Sequence, residues 1–251
     1  MKNLKAVHSE TLKVSKNVLD NVFRGKRREF KYEDVVIFGL FEDMLGKVGS
    51  FIKLLEMNDY NVLLGISRMV LENYAYLKYI LEKDTVHRGE TYFYSTAMNK
   101  IQVYDIYSKD KQVKDYLGLS QSVFSPAFKE DIKEKYKRSI GSKKTKDKWY
   151  NFNGKINNFR KLCDYLGIDL EYKILYKMQS TEVHAQDIFS FIRLENEKIS
   201  VPKKTYNPEA IIWKLISFLI DTVKSIYLYY LLPNEIGKYN SDLLLVLDKK
   251  N

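Results

Sequence analysis

The chain has 251 residues, 45% apolar and 29% charged, the proportions of a globular protein with ample material for a core. One cysteine, Cys163, excludes an internal disulfide and a cysteine-rich zinc site. A formal charge of +10 favours anionic partners: RNA, DNA, acidic proteins or anionic lipid.

The first residues carry no apolar run of the signal-peptide kind. Over residues 9–23, Val14, Val18 and Val22 recur every four positions, which predicts a helix with Leu12 and Leu19 on the same side. A basic turn, 25–32, precedes a second helix over 32–57, with an apolar stripe from Val36 to Leu55. Asn58 and Asp59 break and recap the chain. The third helix, 60–83, is apolar round most of its circumference and so belongs in the middle of a bundle. Arg68 and Glu72 interrupt it at i, i+4, where they share a face and can pair.

A fourth helix is expected over 89–108, with a less regular stretch to 126. Residues 127–140 read as a lysine-rich helix, and 141–148 as a lysine-rich loop. Between 129 and 148, nine Lys or Arg stand against four acidic residues. Lys137, Arg138, Lys143, Lys144, Lys146 and Lys148, adjoining Trp149 and Tyr150, have the make-up of a phosphate-tracking, base-stacking surface. The plain alternative is a solvated helix and loop.

Residues 156–166 form a fifth helix ending at Gly167, suited to a left-handed C-terminal position. Asp169 can cap the next helix, over 169–188. There Tyr172, Tyr176, Ser180 and His184 recur every four residues, beside an apolar strip of Leu170, Ile174, Leu175, Met178 and Val183. The pattern predicts either a polar pocket between helices or a network in which these groups satisfy one another. Asp187, three residues after His184, could hold the imidazole's tautomer and raise its pKa. Residues 195–206 are polar and expected as a mobile loop, and no strand pair is evident. Asn207-Pro208 starts a strong helix to Leu232, whose apolar run Lys214, Asp221 and Lys224 make too charged to span a membrane. A last helix should pack back through Leu243, Leu244, Leu245 and Val246. The expected fold is all-α, a single domain over 1–251 of about seven or eight helices.

The chain has no phosphate-binding glycine loop, no GxSxG and no HExxH. Its histidines, His8, His87 and His184, are far apart, so no metal site and no cofactor are expected. Cys163, between Leu162 and Asp164 in an amphipathic helix, reads as core.

Arg68-x-x-x-Glu72 on an apolar helix, Trp149-Tyr150 midway, and Tyr172, Tyr176 and Ser180-x-x-x-His184 together resemble an uncharacterised bacterial family of helical proteins. More distantly the pattern resembles the HEPN superfamily of helical bundles, many of them metal-independent ribonucleases in toxin–antitoxin, abortive-infection and CRISPR systems. Those nucleases carry an arginine, four to six residues, then a histidine. Here Lys177 stands where the arginine would be, seven before His184. The resemblance implies a cytoplasmic protein acting on RNA, in which His184 moves a proton and Arg68 or Lys177 stabilises developing charge. Glu72 would orient Arg68, with Tyr172, Tyr176, Ser180 and Asp187 around the pocket. RNA or another nucleic acid and a second copy of the chain are the expected partners, without membrane insertion. The reading from another class is a non-catalytic module whose basic face recruits nucleic acid or an acidic protein.

Overall fold

The computed structural model describes residues 1–24, 28–60, 62–116, 124–141, 148–177, 193–195, 198–200 and 207–248. The chain is all-α, a single helical domain apart from one short ribbon. In order it forms α1 (Lys2–Thr11) and α2 (Val14–Val18), the latter running into a wide π-type turn at Leu19–Phe23. Then come α3 (Tyr32–Glu56), α4 (Leu63–Glu82), α5 (Thr85–Lys109), α6 (Lys111–Tyr116), α7 (Pro126–Ile140) and α8 (Phe159–Tyr165). A short α9 (Asp169–Tyr172) runs into a second wide turn, Lys173–Lys177. The ribbon pairs β1 (Arg193–Glu195) antiparallel with β2 (Lys198–Ser200), with Leu194 opposite Ile199. The described chain closes with α10 (Glu209–Tyr229) and α11 (Pro233–Asp248). Seven of these helices have ten residues or more, in line with the expected seven or eight.

The helices cluster into two compact units. Unit 1 holds residues 1–30, 37–83 and 166–251. Its core is built by α3 (Phe41, Met44, Leu45, Val48, Phe51), α4 (Val70, Leu71, Leu77, Ile80) and α10 (Leu215, Leu219, Val223). The three-, four- and seven-residue spacing of these side chains gives each helix a continuous inward face, the main source of helix stability in a protein. Helix α1 lies antiparallel to α3: Lys5 pairs with Glu56, and His8 Nε2 donates to the Leu45 carbonyl at 3.0 Å. Phe218 of α10 stacks on Tyr74 of α4 at 4.2 Å between ring centres.

Unit 2 holds residues 31–36 and 84–165. Its α7 starts at Ser125-Pro126, where the serine oxygen accepts from the Phe128 amide at 3.2 Å and proline occupies a position that needs no donor. Ile132, Tyr136 and Ile140 of α7 are buried, as are Tyr94 and Ile101 of α5. Gly89 of α5 sits against the backbone of Glu33; a Cβ built there would lie 2.6 Å from the Glu33 Cβ.

Several expectations need correction. The first helix begins at Lys2 rather than at residue 9, and Leu12 and Leu19 are exposed while Val14 and Val18 are buried. Helix α5 starts at Thr85, preceded by Asp84 in a left-handed conformation. The stretch expected as a mobile loop contains the ribbon, where Leu194 and Ile199 occupy facing positions; residues 196–197 and 201–206 lie outside the described residues. Pro208 precedes α10 rather than sitting inside its first turn, and Asn207 Oδ1 accepts from the Glu209 amide at 3.0 Å. On α11 only Leu243 of the leucine run is buried; Leu244 and Leu245 face outward. Gly167 adopts the left-handed conformation expected of it, φ 68°. No described helix is long and apolar enough to cross a membrane.

Candidate functional site

Helix α4 positions Arg68 and Glu72 one turn apart, and their side chains meet at 3.8 Å (Nε to Oε1). They are half-buried rather than central: the side chains retain 18% and 34% of their exposure. The guanidinium carbon lies over the Tyr176 ring, 3.8 Å from its centre. Tyr176 in turn stacks on Tyr172 at 5.1 Å, so the end of α9 and the wide turn after it bring both rings to one side. Arg68 Nη1 is buried and has no hydrogen-bond partner among the described residues. Leaving such a donor unmatched costs about 1–3 kcal/mol, and more where the group is charged.

Burial pushes the Glu72 carboxyl above its ordinary range. Attraction to Arg68 and Lys47 and a hydrogen bond from Tyr176 pull the other way without cancelling that rise. Lys47 reaches in from α3. Its ammonium donates to Asn73 Oδ1 at 3.0 Å and pairs with Asp43, and the Asn73 amide donates to Asp43 at 2.7 Å and to the Leu40 carbonyl at 3.0 Å. For Asp43 burial raises the pKa, but the hydrogen bonds from Asn73 and Lys47 outweigh it and leave the carboxyl lowered. A ring, a guanidinium, a carboxyl and an ammonium therefore share one patch of unit 1.

Further along α4, Tyr74 donates to Asp221 of α10 at 2.6 Å, and Lys78 reaches the same oxygen at 3.0 Å. Burial, reinforced by that carboxylate, drives the Tyr74 hydroxyl far above its usual range, so it stays protonated. Lys214 of α10 pairs with Glu171 of α9 at 2.6 Å. These contacts tie α9 to α10 and α4 to α10.

Of the residues singled out from sequence, Arg68, Glu72, Tyr172 and Tyr176 come together. Asp169 is the first residue of α9 rather than its cap; its carboxylate pairs with Lys173 at 2.7 Å. Leu175 is buried, whereas Leu170 and Ile174 are exposed. Ser180, His184 and Asp187 lie outside the described residues, as do Lys143, Lys144 and Lys146; Lys177 ends the wide turn, with its side chain likewise undescribed.

The basic stretch departs from expectation. Trp149 and Tyr150 keep only 6% and 3% of their exposure, packed edge to face on each other, with Trp149 also edge-on to Tyr92 of α5. A base cannot stack on rings enclosed in this way. Along α7, Arg138 pairs with Glu134, Lys133 with Glu130 and Lys135 with Asp131, and Lys129 pairs with Asp105 of α5. Helical spacing matches Lys133, Lys135 and Arg138 with the interleaved acids, which the count of charges along the sequence conceals. Lys148 is exposed and Lys137 half-buried.

Sequence reasoning passed over Lys47, Asp43 and Asn73. The i, i+4 spacing of Asp43 and Lys47, and the amide beside Glu72 in an apolar helix, were the available signals. Among the described residues, no group of three or more His, Cys, Asp or Glu could hold a metal ion.

The model of a family of unknown function, DUF5677, matches residues 34–199, well over half of the chain. The chain belongs to DUF5677. No curated protein and no solved structure matches it. The DUF5677 match includes α4, the wide turn after α9 and the segment around His184, so the whole candidate site lies inside it.

Proposed function

We propose that the chain is a HEPN-like protein that acts on RNA, with Arg68, Glu72 and Tyr176 at the heart of a metal-independent ribonuclease site. The observation that carries this reading is the buried Arg68 Nη1, unmatched among the described residues while its guanidinium rests over an aromatic ring. A fixed guanidinium with a spare donor is the group best suited to a phosphate oxygen. Glu72, with its pKa raised, sets the angle of that guanidinium and offers a carboxyl able to hold a proton at higher pH than usual.

In this mechanism the RNA 2′-hydroxyl attacks the adjacent phosphorus. The new 2′-O–P bond forms as the bond to the 5′-oxygen breaks, leaving a cyclic phosphate. His184 takes the 2′ proton or returns one to the leaving oxygen, and Arg68, with Lys177, stabilises the charge on the non-bridging oxygens. The assignment of His184 and Lys177 rests on sequence. The same reading puts the protein in the cytoplasm of a bacterium, in a defence or toxin role, and lets a second copy pair with it.

The test is RNA cleavage by the purified chain in the presence of a chelator, with product ends identified. Arg68→Ala is expected to slow cleavage about 10²–10³-fold, the usual loss for one charge-stabilising donor. His184→Ala should abolish it with the thermal midpoint nearly unchanged. A wild-type chain that cuts no RNA, or an Arg68→Ala variant that cuts at full rate, overturns the proposal. Retained RNA binding without cleavage would favour the non-catalytic module.

A further inference from the structure

In unit 1 a cavity of about 600 Å³ opens where the start of α10 meets the α3–α4 turn and the start of α1. None of the Arg68 group lines it. The volume is that of a small-molecule site. Its floor is aliphatic, made by the buried side chains Leu55, Ile212 and Ile216. On its wall stands Trp213, with 55% of its surface open. A large apolar ring left open on a concave surface is informative in a way that a scattered surface leucine is not.

The remaining lining is mostly polar, with Tyr60 and Pro208 among it. Glu209 stands there with two cations, Lys2 and the amino terminus of Met1, a net charge of about one. Asn3 and Asn58 contribute amides, Asn58 from a left-handed residue (φ 54°) that ends α3 and turns the chain toward α4. Asparagine is among the few side chains that accept this conformation easily. An asparagine amide presents a donor and an acceptor side by side, the pair that complements the edge of a nucleobase. Every base also has a π face for an indole. An aliphatic floor beside an open indole suits a planar ring better than a puckered, hydroxyl-covered sugar.

We propose that this cavity binds a planar, uncharged, hydrogen-bonding heterocycle of the nucleobase class, with Trp213 as stacking platform and Asn3 and Asn58 reading its edge. The inference does not depend on the ribonuclease reading, since its residues are separate.

The chain has two tryptophans, and Trp149 is enclosed within unit 2, so emission from Trp213 reports on the cavity. The full chain, tagged only at its C-terminus, is titrated with adenosine, guanosine, cytidine and uridine, and with glucose as control. At least one nucleoside should quench saturably, and glucose should not. Calorimetry on Trp213→Leu should show affinity for that nucleoside lowered by about tenfold or more. Asn58→Ala should weaken it and alter the preference among bases. Trp213 is exposed, so its replacement leaves the core intact, which an unchanged thermal midpoint verifies. Absence of saturable quenching by any nucleoside at millimolar concentration overturns the proposal. So does equal binding of glucose, or undiminished affinity in Trp213→Leu.

Discussion

Gly89→Ala offers a sharp test of the packing in unit 2, because two effects of opposite sign meet there. In a helix interior, replacing glycine by alanine ordinarily stabilises by about 0.5–1 kcal/mol, since glycine loses more freedom on folding. At Gly89 the new methyl would lie 2.6 Å from the Cβ and 2.8 Å from the Cα of Glu33. The Cα belongs to backbone, so no rotamer change can relieve the contact; the start of α3 and α5 must move apart. Forcing an extra carbon into such a site costs about 1–3 kcal/mol, and Glu33, Asp34 and Arg88 are all buried nearby in the chain, leaving little slack. The steric cost should win, leaving a net loss of about 1–2 kcal/mol. Gly46→Ala on α3 is the matched control, because its added Cβ meets nothing within 4 Å. It should stabilise. Urea unfolding of both variants decides the matter. If Gly89→Ala stabilises as much as Gly46→Ala, the close approach of α3 and α5 is wrong.

Asn73→Ala removes the amide that serves Asp43, Lys47 and the Leu40 carbonyl and should cost about 1–3 kcal/mol in urea unfolding; an unchanged midpoint would contradict the network. Burial pushes the Tyr239 hydroxyl, bonded to Thr11 at 2.9 Å, up to about 12 from its ordinary 10.0. Because the folded value is the higher one, this stability is complete below the unfolded value and lost as pH rises toward the folded value. Tyr239→Phe should flatten that decline in denaturation midpoints measured across the alkaline range. Glu72 titrates higher folded than unfolded, so its contribution likewise falls as pH rises from its ordinary 4.5 through the raised value. Glu72→Gln should remove that part of the slope, and identical slopes in the two proteins would show the carboxyl to be solvated.

The long helices were legible because apolar residues at helical spacing can satisfy only one geometry over five or more turns, as in α3 and α4. Short-range exceptions were not. Val14, Val18 and Val22 gave a sound helical signal, yet the true start at Lys2 was hidden because Leu4 and Val7 sit among lysines and too few apolar residues precede Ser9 to set a period. The ribbon at Arg193–Glu195 and Lys198–Ser200 spans three residues a side, below the length at which alternation can be told from chance. In the described part of the basic stretch, α7, the pairing of charges was hidden for a different reason. Net charge adds along a sequence, whereas in α7 Lys133, Lys135 and Arg138 are each paired with an acid three or four residues away.

The candidate site was half legible, and the wide turn explains which half. An i→i+5 turn holds one residue more than an α-turn, so side chains beyond it rotate by roughly 100° from the register that precedes it. Over Lys173–Lys177 that shift leaves Tyr172 and Tyr176 stacked, because four residues still nearly complete a turn, so the tyrosine pair survives. The expected apolar strip divides: Leu170 and Ile174, one turn apart, face out, while Leu175, about 100° further round, is buried. Arg68, Glu72 and the two tyrosines were found, each from its own stretch, but Lys47, Asp43 and Asn73 were not. Tyr176 over its guanidinium and Lys47 near Glu72 come from the wide turn after α9 and from α3, and no local period records an encounter between three elements. What sequence could supply was an arginine and a glutamate sharing one face of an apolar helix. That placement carries a desolvation cost, and a half-buried guanidinium with an unmatched nitrogen shows the cost only partly met within the described residues. The unmatched donor is therefore the feature a bound anion would complete, and it is the reason the phosphate reading attaches to Arg68 rather than to the lysines of α7.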